Sequence, residues 1–147
     1  MSTIRTNSDN PDFIKLTNLF DEYLVDIDGD EKDFFAQFNQ IHIDHVIVYY
    51  DDEVAVGCGA FKEYEPNVAE IKRMFVLPQQ RGKGIAASIL NELESWASAK
   101  SYTSCILETS VRLKSAIALY KKSGYQIIPN FGQYVGVESS VCMQKII

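Results

Sequence analysis

The chain has 147 residues, 46% apolar and 23% charged, which suits one folded unit with its own core and without linkers or low-complexity segments. No apolar run is long enough to span a bilayer, and residues 1–6 lack the apolar core of a signal segment. A net charge of −6 with no basic stripe argues against a nucleic-acid binder.

In chain order, residues 3–6 are a strand candidate. Asn10-Pro11 then supplies an N-cap and a first-turn proline, and Phe13, Leu16, Leu19, Phe20, Tyr23 and Leu24 recur at the helical period. The run Asp26–Asp30, with Gly29, ends that helix. A shorter helix is expected over about 31–39, with Phe34, Phe35 and Phe38 on one face. Residues 45–50 and 53–64 read as two strands of a hairpin about an Asp51-Asp52 turn, and Pro66-Asn67 leads into a third strand over 68–77. That strand changes phase. Ala69 and Ile71 alternate with Glu70 and Lys72, Lys72 and Arg73 then stand side by side, and residues 74–77 are all apolar. Such a break predicts a β-bulge, or a strand passing from one covered face to two. A helix from Gly84 to about Lys100, a strand over 103–109, a helix over about 112–123 closed by Lys121, Lys122 and Gly124, and strands near 125–128 and 140–147 complete the order. Strand, helix, strand predicts a right-handed crossover between parallel neighbours.

The most telling stretch is Val76-Leu77-Pro78-Gln79-Gln80-Arg81-Gly82-Lys83-Gly84-Ile85-Ala86, an apolar strand that enters a glycine-rich basic turn and opens onto a helix. Glycines at 82 and 84 let an anion approach the backbone, and the helix start offers unpaired N–H groups and a positive dipole end. Arg81 and Lys83 add cationic donors. The stretch reads as a diphosphate cradle. It is not a P-loop, which needs G-x-x-x-x-G-K-[ST]. Nor does an acidic residue end a second strand about 20 residues on, as a dinucleotide fold requires.

Gln79-x-x-Gly82-x-Gly84 resembles the Q/R-x-x-G-x-G/A signature of the GNAT family of N-acetyltransferases. The strand Ala69–Pro78 resembles the one that precedes that signature, and Ala116-Ile117-Ala118-Leu119-Tyr120-Lys121-Lys122-Ser123-Gly124-Tyr125 is similar to the family's later A-x-x-L-Y-x-x-x-G-F/Y segment. One position departs: Leu113 stands where many relatives carry a cofactor-binding asparagine, leaving Arg112, Lys114 and Ser115 as alternative contacts. The resemblance implies one acetyltransferase domain over 1–147 with the acyl-CoA N-acyltransferase fold: α/β, a mixed, mostly antiparallel sheet with a central parallel strand pair flanked by helices. It also implies direct acetyl transfer from acetyl-CoA to a primary amine of a small molecule or protein. Expected cofactor contacts are Phe75, Val76, Arg81, Gly82, Lys83, Gly84, Ile85 and Ala86. An amide of Phe75 or Val76 would stabilise the thioester oxygen.

An amine of lysine type must lose a proton, at about 4.6 kcal/mol at pH 7, and Glu70 on the expected site strand is the candidate base, direct or through water. The plain alternative is a solvent-facing carboxylate paired with Lys72 or Arg73. Tyr120 is the candidate acid for the leaving thiolate, sharing its helical face with Leu113 and Ile117, where it could equally be core. Acidic residues number 15 against 4 basic over residues 1–68, and 5 against 10 over 69–147. This division suits a cationic acceptor at the acidic half and a phosphate-bearing cofactor at the basic half, although acidic surface also serves solubility.

Weaker signals surround these. His42-x-x-His45 lacks the partners of a metal site, and no metal is expected. Gly57-Cys58-Gly59 suggests close backbone approach within a strand. Cys58, Cys105 and Cys142 read as reduced, buried thiols of a cytoplasmic protein. Tyr49, Tyr50, Tyr64, Tyr125 and Tyr134 could wall an acceptor pocket bordered by the loop 129–136. No nucleic acid or membrane partner is expected, and a homodimer is left open. The rival reading is a non-catalytic acyl-CoA-binding sensor or interaction module.

Overall fold

A computed structural model describes residues 1–28 and 42–147, so the expected helix over 31–39, with Phe34, Phe35 and Phe38, lies outside the described residues. Strand β1 (Ser2–Thr6) leads to helix α1 (Pro11–Asp28). The Asn10 side chain caps that helix, accepting from the amides of Asp12 (2.9 Å) and Phe13 (3.1 Å), as its place before Pro11 demands. Strands β2 (His45–Asp51) and β3 (Val54–Glu65) form the hairpin. Its central residues are Asp52 and Glu53, both with positive φ (49° and 68°), one step beyond the Asp51-Asp52 pair marked in the sequence. Two left-handed residues give a tight turn whose twist matches that of the strands.

Strand β4 (Val68–Val76) pairs antiparallel with β3 and parallel with β5 (Ser104–Ser110), and helix α2 (Ile85–Ala99) makes the crossover between them. Helix α3 (Lys114–Lys122) follows, and β6 (Gln126–Ile128) and β7 (Ser140–Ile146) finish a seven-stranded sheet of order β1-β2-β3-β4-β5-β7-β6. Every neighbouring pair except β4–β5 is antiparallel.

Alternation along the strands divides the core. On one face Ile71, Cys105, Leu107 and Met143 pack with Ile85, Ile89, Leu90 and Leu93 of α2 and Tyr120 of α3. On the other, Val46, Val48, Cys58, Ala60 and Phe75 pack with Phe13 and Leu16 of α1. Gly59 shows how closely α2 approaches the sheet. A Cβ there would stand 2.8 Å from Ile89 and 2.5 Å from the Met74 sulfur, which is the close backbone approach expected of Gly57-Cys58-Gly59. Helix α3 ends with the Tyr125 amide donating to Tyr120 (2.9 Å) and the Gly124 amide to Lys121 (3.1 Å), a paired C-terminal closure that fixes the turn bearing Tyr120. Among the described residues, no helix is long and apolar enough to cross a membrane.

Candidate active site

The phase break beside Arg73 is a β-bulge. Cys58 faces Phe75 and Ala60 faces Lys72, so Arg73 and Met74 together oppose Gly59 alone, and Arg73 adopts φ 58°. The parallel ladder of β4 with β5 runs only from Val68↔Ser104 to Ile71↔Leu107. Beyond it a cleft of about 740 Å³ opens. Its walls come from both faces of the sheet: α1 gives Phe20, Tyr23 and Leu24, the loop after β6 gives Tyr134, and β4, the end of β5, the turn into α2 and its start, and the start and inner face of α3 supply the rest.

At the α2 rim, one 3₁₀ turn (Pro78–Gln80) precedes the glycines. The amides of Gln80 and Arg81 are used internally, donating to Leu77 (2.8 Å) and Pro78 (3.3 Å). The next to find a backbone partner among the described residues is Ser88, which donates to Gly84 (3.0 Å). Gly84 is the N-cap, at φ 81°, with no side chain capping the helix. A Cβ on Gly82 or Gly84 would meet nothing within 4 Å, so these backbones face open space. The amides from residue 82 to 87 are therefore presented together at the mouth of the cleft.

The eight expected cofactor residues divide. Phe75, Val76, Arg81, Gly82, Gly84, Ile85 and Ala86 line the cleft. Lys83 is turned aside, its Nζ donating to Gln80 Oε1 (2.9 Å) on the exposed rim. Arg81 reaches back along the strand: its Nε donates to the Val76 carbonyl (3.0 Å), and its guanidinium lies 5.0 Å from the Tyr23 ring. Phe75 stacks on Phe20 with centroids 5.2 Å apart.

Glu70 also lines the cleft, but not as a solvent-facing carboxylate. It is buried, and Lys72, two residues on and hence on the same face, brings Nζ to 3.4 Å from its Oε2. Burial lowers the Lys72 pKa from its usual value, while the Glu70 charge works in the opposite direction. Glu108 of β5 lines the same cleft and accepts from Ser140 Oγ at 2.5 Å. Tyr120 enters from α3, fully within the fold. Burial first, and the Glu108 charge second, raise its hydroxyl pKa above the ordinary value, so it stays protonated. Leu113, Arg112, Lys114 and Ser115 all line the cleft, so the segment that departs from the family spelling still borders it.

Of the tyrosines expected as a wall, Tyr134 alone lines the cleft. Tyr49 is core, Tyr50 donates to Asp12 (2.5 Å), Tyr64 packs on Phe131, and Tyr125 donates to the buried Glu94 (2.9 Å). Tyr23 and Phe20 take their place. Only the helical phase of α1, which puts residues 13, 16, 20 and 23 on one side, could have signalled them. Cys58, Cys105 and Cys142 are buried free thiols. His45 packs on Phe61 and Trp96, and His42 bonds Asp44 (2.9 Å). Among the described residues, no group of three or more His, Cys, Asp or Glu side chains could hold a metal ion.

Comparison with known proteins gives a consistent picture. A family model described as the acetyltransferase (GNAT) family matches residues 13–125. An IAA acetyltransferase of Azospirillum brasilense is 32% identical over 135 residues, 90% of this chain and 88% of that protein. A Klebsiella pneumoniae protein assigned as an acyl-CoA N-acyltransferase superposes with a TM-score of 0.84 at 27% identity, covering 99% of this chain and 96% of that one. The PaiA N-acetyltransferase of Thermoplasma acidophilum, solved with coenzyme A, shares the fold at a TM-score of 0.61 and 22% identity, over 69% of this chain and 60% of that one.

Proposed function

The chain belongs to the acetyltransferase (GNAT) family, and from that premise we propose that it moves an acetyl group from acetyl-CoA to a primary amine, with both bound at once and the whole chain acting as one catalytic unit. The observation that carries this reading is the cleft at the end of the β4–β5 ladder, which has a row of open amides at one mouth and is lined by the buried Glu70 and the half-buried Glu108. The diphosphate of the donor would lie on the amides of residues 82–87, where the α2 dipole also favours negative charge. Gly82 and Gly84 admit it, and Arg112, Lys114 and Ser115 line the same cleft.

The thioester would lie at Val76. Amides on an antiparallel strand point alternately to its two sides. The Leu77 amide donates to Val56 of β3 (2.9 Å), and Phe75, two residues back, is paired with Cys58 of the same strand. The Val76 amide therefore faces the gap that β5 leaves uncovered. That favours Val76 over Phe75 as the donor to the thioester oxygen, with Arg81 holding the next peptide through the Val76 carbonyl. Phase supports this assignment.

The amine nitrogen attacks the thioester carbon, a C–N bond forms, and the C–S bond breaks. The amine's proton passes to Glu70, directly or through water. The departing thiolate receives a hydrogen bond from Tyr120, whose raised pKa keeps it a donor and resists full transfer. We assign the acceptor as a cationic amine because Glu70 and Glu108 both line the cleft, and we place the protein in the cytoplasm because its three cysteines are buried free thiols.

The experiment is a panel of amines assayed for thiol release with acetyl-CoA, alongside calorimetry of CoA binding. Turnover with at least one amine, weakened in Glu70→Gln and Tyr120→Phe while CoA still binds, is the expected result. Binding without turnover on any amine would overturn catalysis in favour of a sensor, and absence of CoA binding would overturn the whole reading.

A further inference from the structure

Arg73 is an unusual residue to find in the middle of a sheet. A charged side chain follows Lys72 directly, in a strand that is otherwise closing into the core. Its backbone sits at φ 58°, in a region that costs a non-glycine residue on the order of 1–3 kcal/mol and persists only where the surroundings impose it. The bulge re-aims the side chain toward α1. There Nη2 donates to the Thr17 carbonyl (3.1 Å) and to Asp21 Oδ1 (3.0 Å), and the guanidinium lies 5.1 Å from the Phe20 ring.

The other terminal nitrogen is different. Nη1 is buried and has no hydrogen-bond partner among the described residues, although the guanidinium side chain is only 3% exposed. An unpaired donor on a buried charged group is costly, and folded proteins rarely retain one without use. Asp21, half-exposed at 49%, has its charge screened by water and balances that of Arg73 only in part. Arg73 itself lines the cleft, as do the aromatics Phe20 and Tyr23 and the carboxylates Glu70 and Glu108. The lining thus combines a guanidinium with one buried, unpartnered nitrogen, the Glu70–Lys72 pair and Glu108.

We infer that the acceptor carries a carboxylate close to its amine, and that Arg73 Nη1 binds it. Guanidinium suits this task, because its planar N–H groups match a carboxylate and its charge is permanent. The spacing fits a small molecule. Arg73 lies three residues before Val76 on one strand, so their Cα atoms are no more than about 10 Å apart. A zwitterion of amino-acid type would meet Arg73 with its carboxylate and Glu70 or Glu108 with its ammonium. A protein amino group is disfavoured, because so deeply buried a donor is reached by a small ligand and not by a broad surface. This inference rests on the acetyl-transfer reading for the role of the amine, but the carboxylate site stands on Arg73 alone.

The test compares the standard amino acids with their carboxamides, which keep the amine and lose the charge. Calorimetry on the protein saturated with CoA measures affinity, and thiol release from acetyl-CoA measures turnover. At least one acid should exceed its amide by about 10- to 100-fold in both, the worth of one charge-assisted hydrogen bond. Arg73→Met should bring that ratio toward one. Arg73→Lys keeps the charge without the fork, should retain an intermediate ratio, and serves if the methionine variant does not fold. A ratio near one in the unaltered protein, a ratio that survives Arg73→Met, binding of no acid, or a preference for peptide amines overturns the proposal. The two readings fail separately. Acids that bind through Arg73 but are never acetylated leave the carboxylate site standing and sink acetyl transfer. Amides acetylated as readily as acids do the reverse.

Discussion

A tyrosine that holds its proton as firmly as Tyr120 cannot hand it cheaply to a thiolate. A free tyrosine already titrates about 1.5 units above a thiol, and burial beside Glu108 widens that gap. Its use lies in a hydrogen bond that strengthens as charge reaches the sulfur. Tyr120→Phe is therefore expected to lower kcat by about 10- to 100-fold with CoA affinity unchanged. Because the hydroxyl stays protonated, the wild-type profile should show no falling limb between pH 8 and 10 that disappears in the variant; finding one would refute the assignment. Glu70 calls for another readout, since Lys72 at 3.4 Å gives it a structural role as well. Glu70→Gln should cost about 100-fold or more at pH 7, and part of that loss should be recovered at pH 8.5, where more of the amine is already neutral. A loss independent of pH would mean that the residue only holds the strand.

Among the elements, the glycine turn and the β3–α2 contact separate binding from stability. Gly84→Ala places a methyl into open space at positive φ, so stability should fall by about 1 kcal/mol while CoA affinity falls further. Gly59→Ala drives a methyl into Ile89 and Met74 and should cost about 1–3 kcal/mol in denaturant unfolding. A Gly84→Ala protein that binds CoA as tightly as before would remove the turn from the cofactor site. The elements themselves were largely legible, because periodicity and the spelling of the turn are local. So was the bulge, since two charged neighbours in an apolar strand cannot both keep the alternation. The pairing of Glu70 with Lys72 follows from a two-residue spacing and was within reach. Three features were not legible. The aromatic wall from Phe20 and Tyr23 depends on which face α1 turns to the sheet. The return of Arg81 to Val76 depends on the path of the turn, and the buried state of Arg73 depends on where α1 crosses β4. The first and third are set by packing between segments far apart in sequence, and the second by backbone angles that residue spelling does not fix.

At the scale of the molecule, the sheet carries titratable groups that the folded state keeps protonated. Burial pushes Cys58 and Cys105 up to about 12 and Cys142 up to about 11. Tyr125 and Tyr134 are raised as well, both chiefly by burial. In the unfolded chain these thiols titrate near 8.5. Above that pH the unfolded state binds fewer protons than the folded one, so stability falls as pH rises. The contribution is fully present below about pH 8.5. It then declines by about 1 kcal/mol per pH unit for each thiol until the folded values are reached, and the tyrosines join from about pH 10. Three thiols acting together amount to several kcal/mol by pH 10, a large share of the stability of an ordinary domain. Urea midpoints measured at pH 7.5, 9 and 10 should therefore fall steadily, and Cys58→Ala, which removes one titrating group, should fall less steeply over the same range. Equal midpoints at pH 7.5 and 10 would show that the thiols are far more open to water than their burial in the sheet implies.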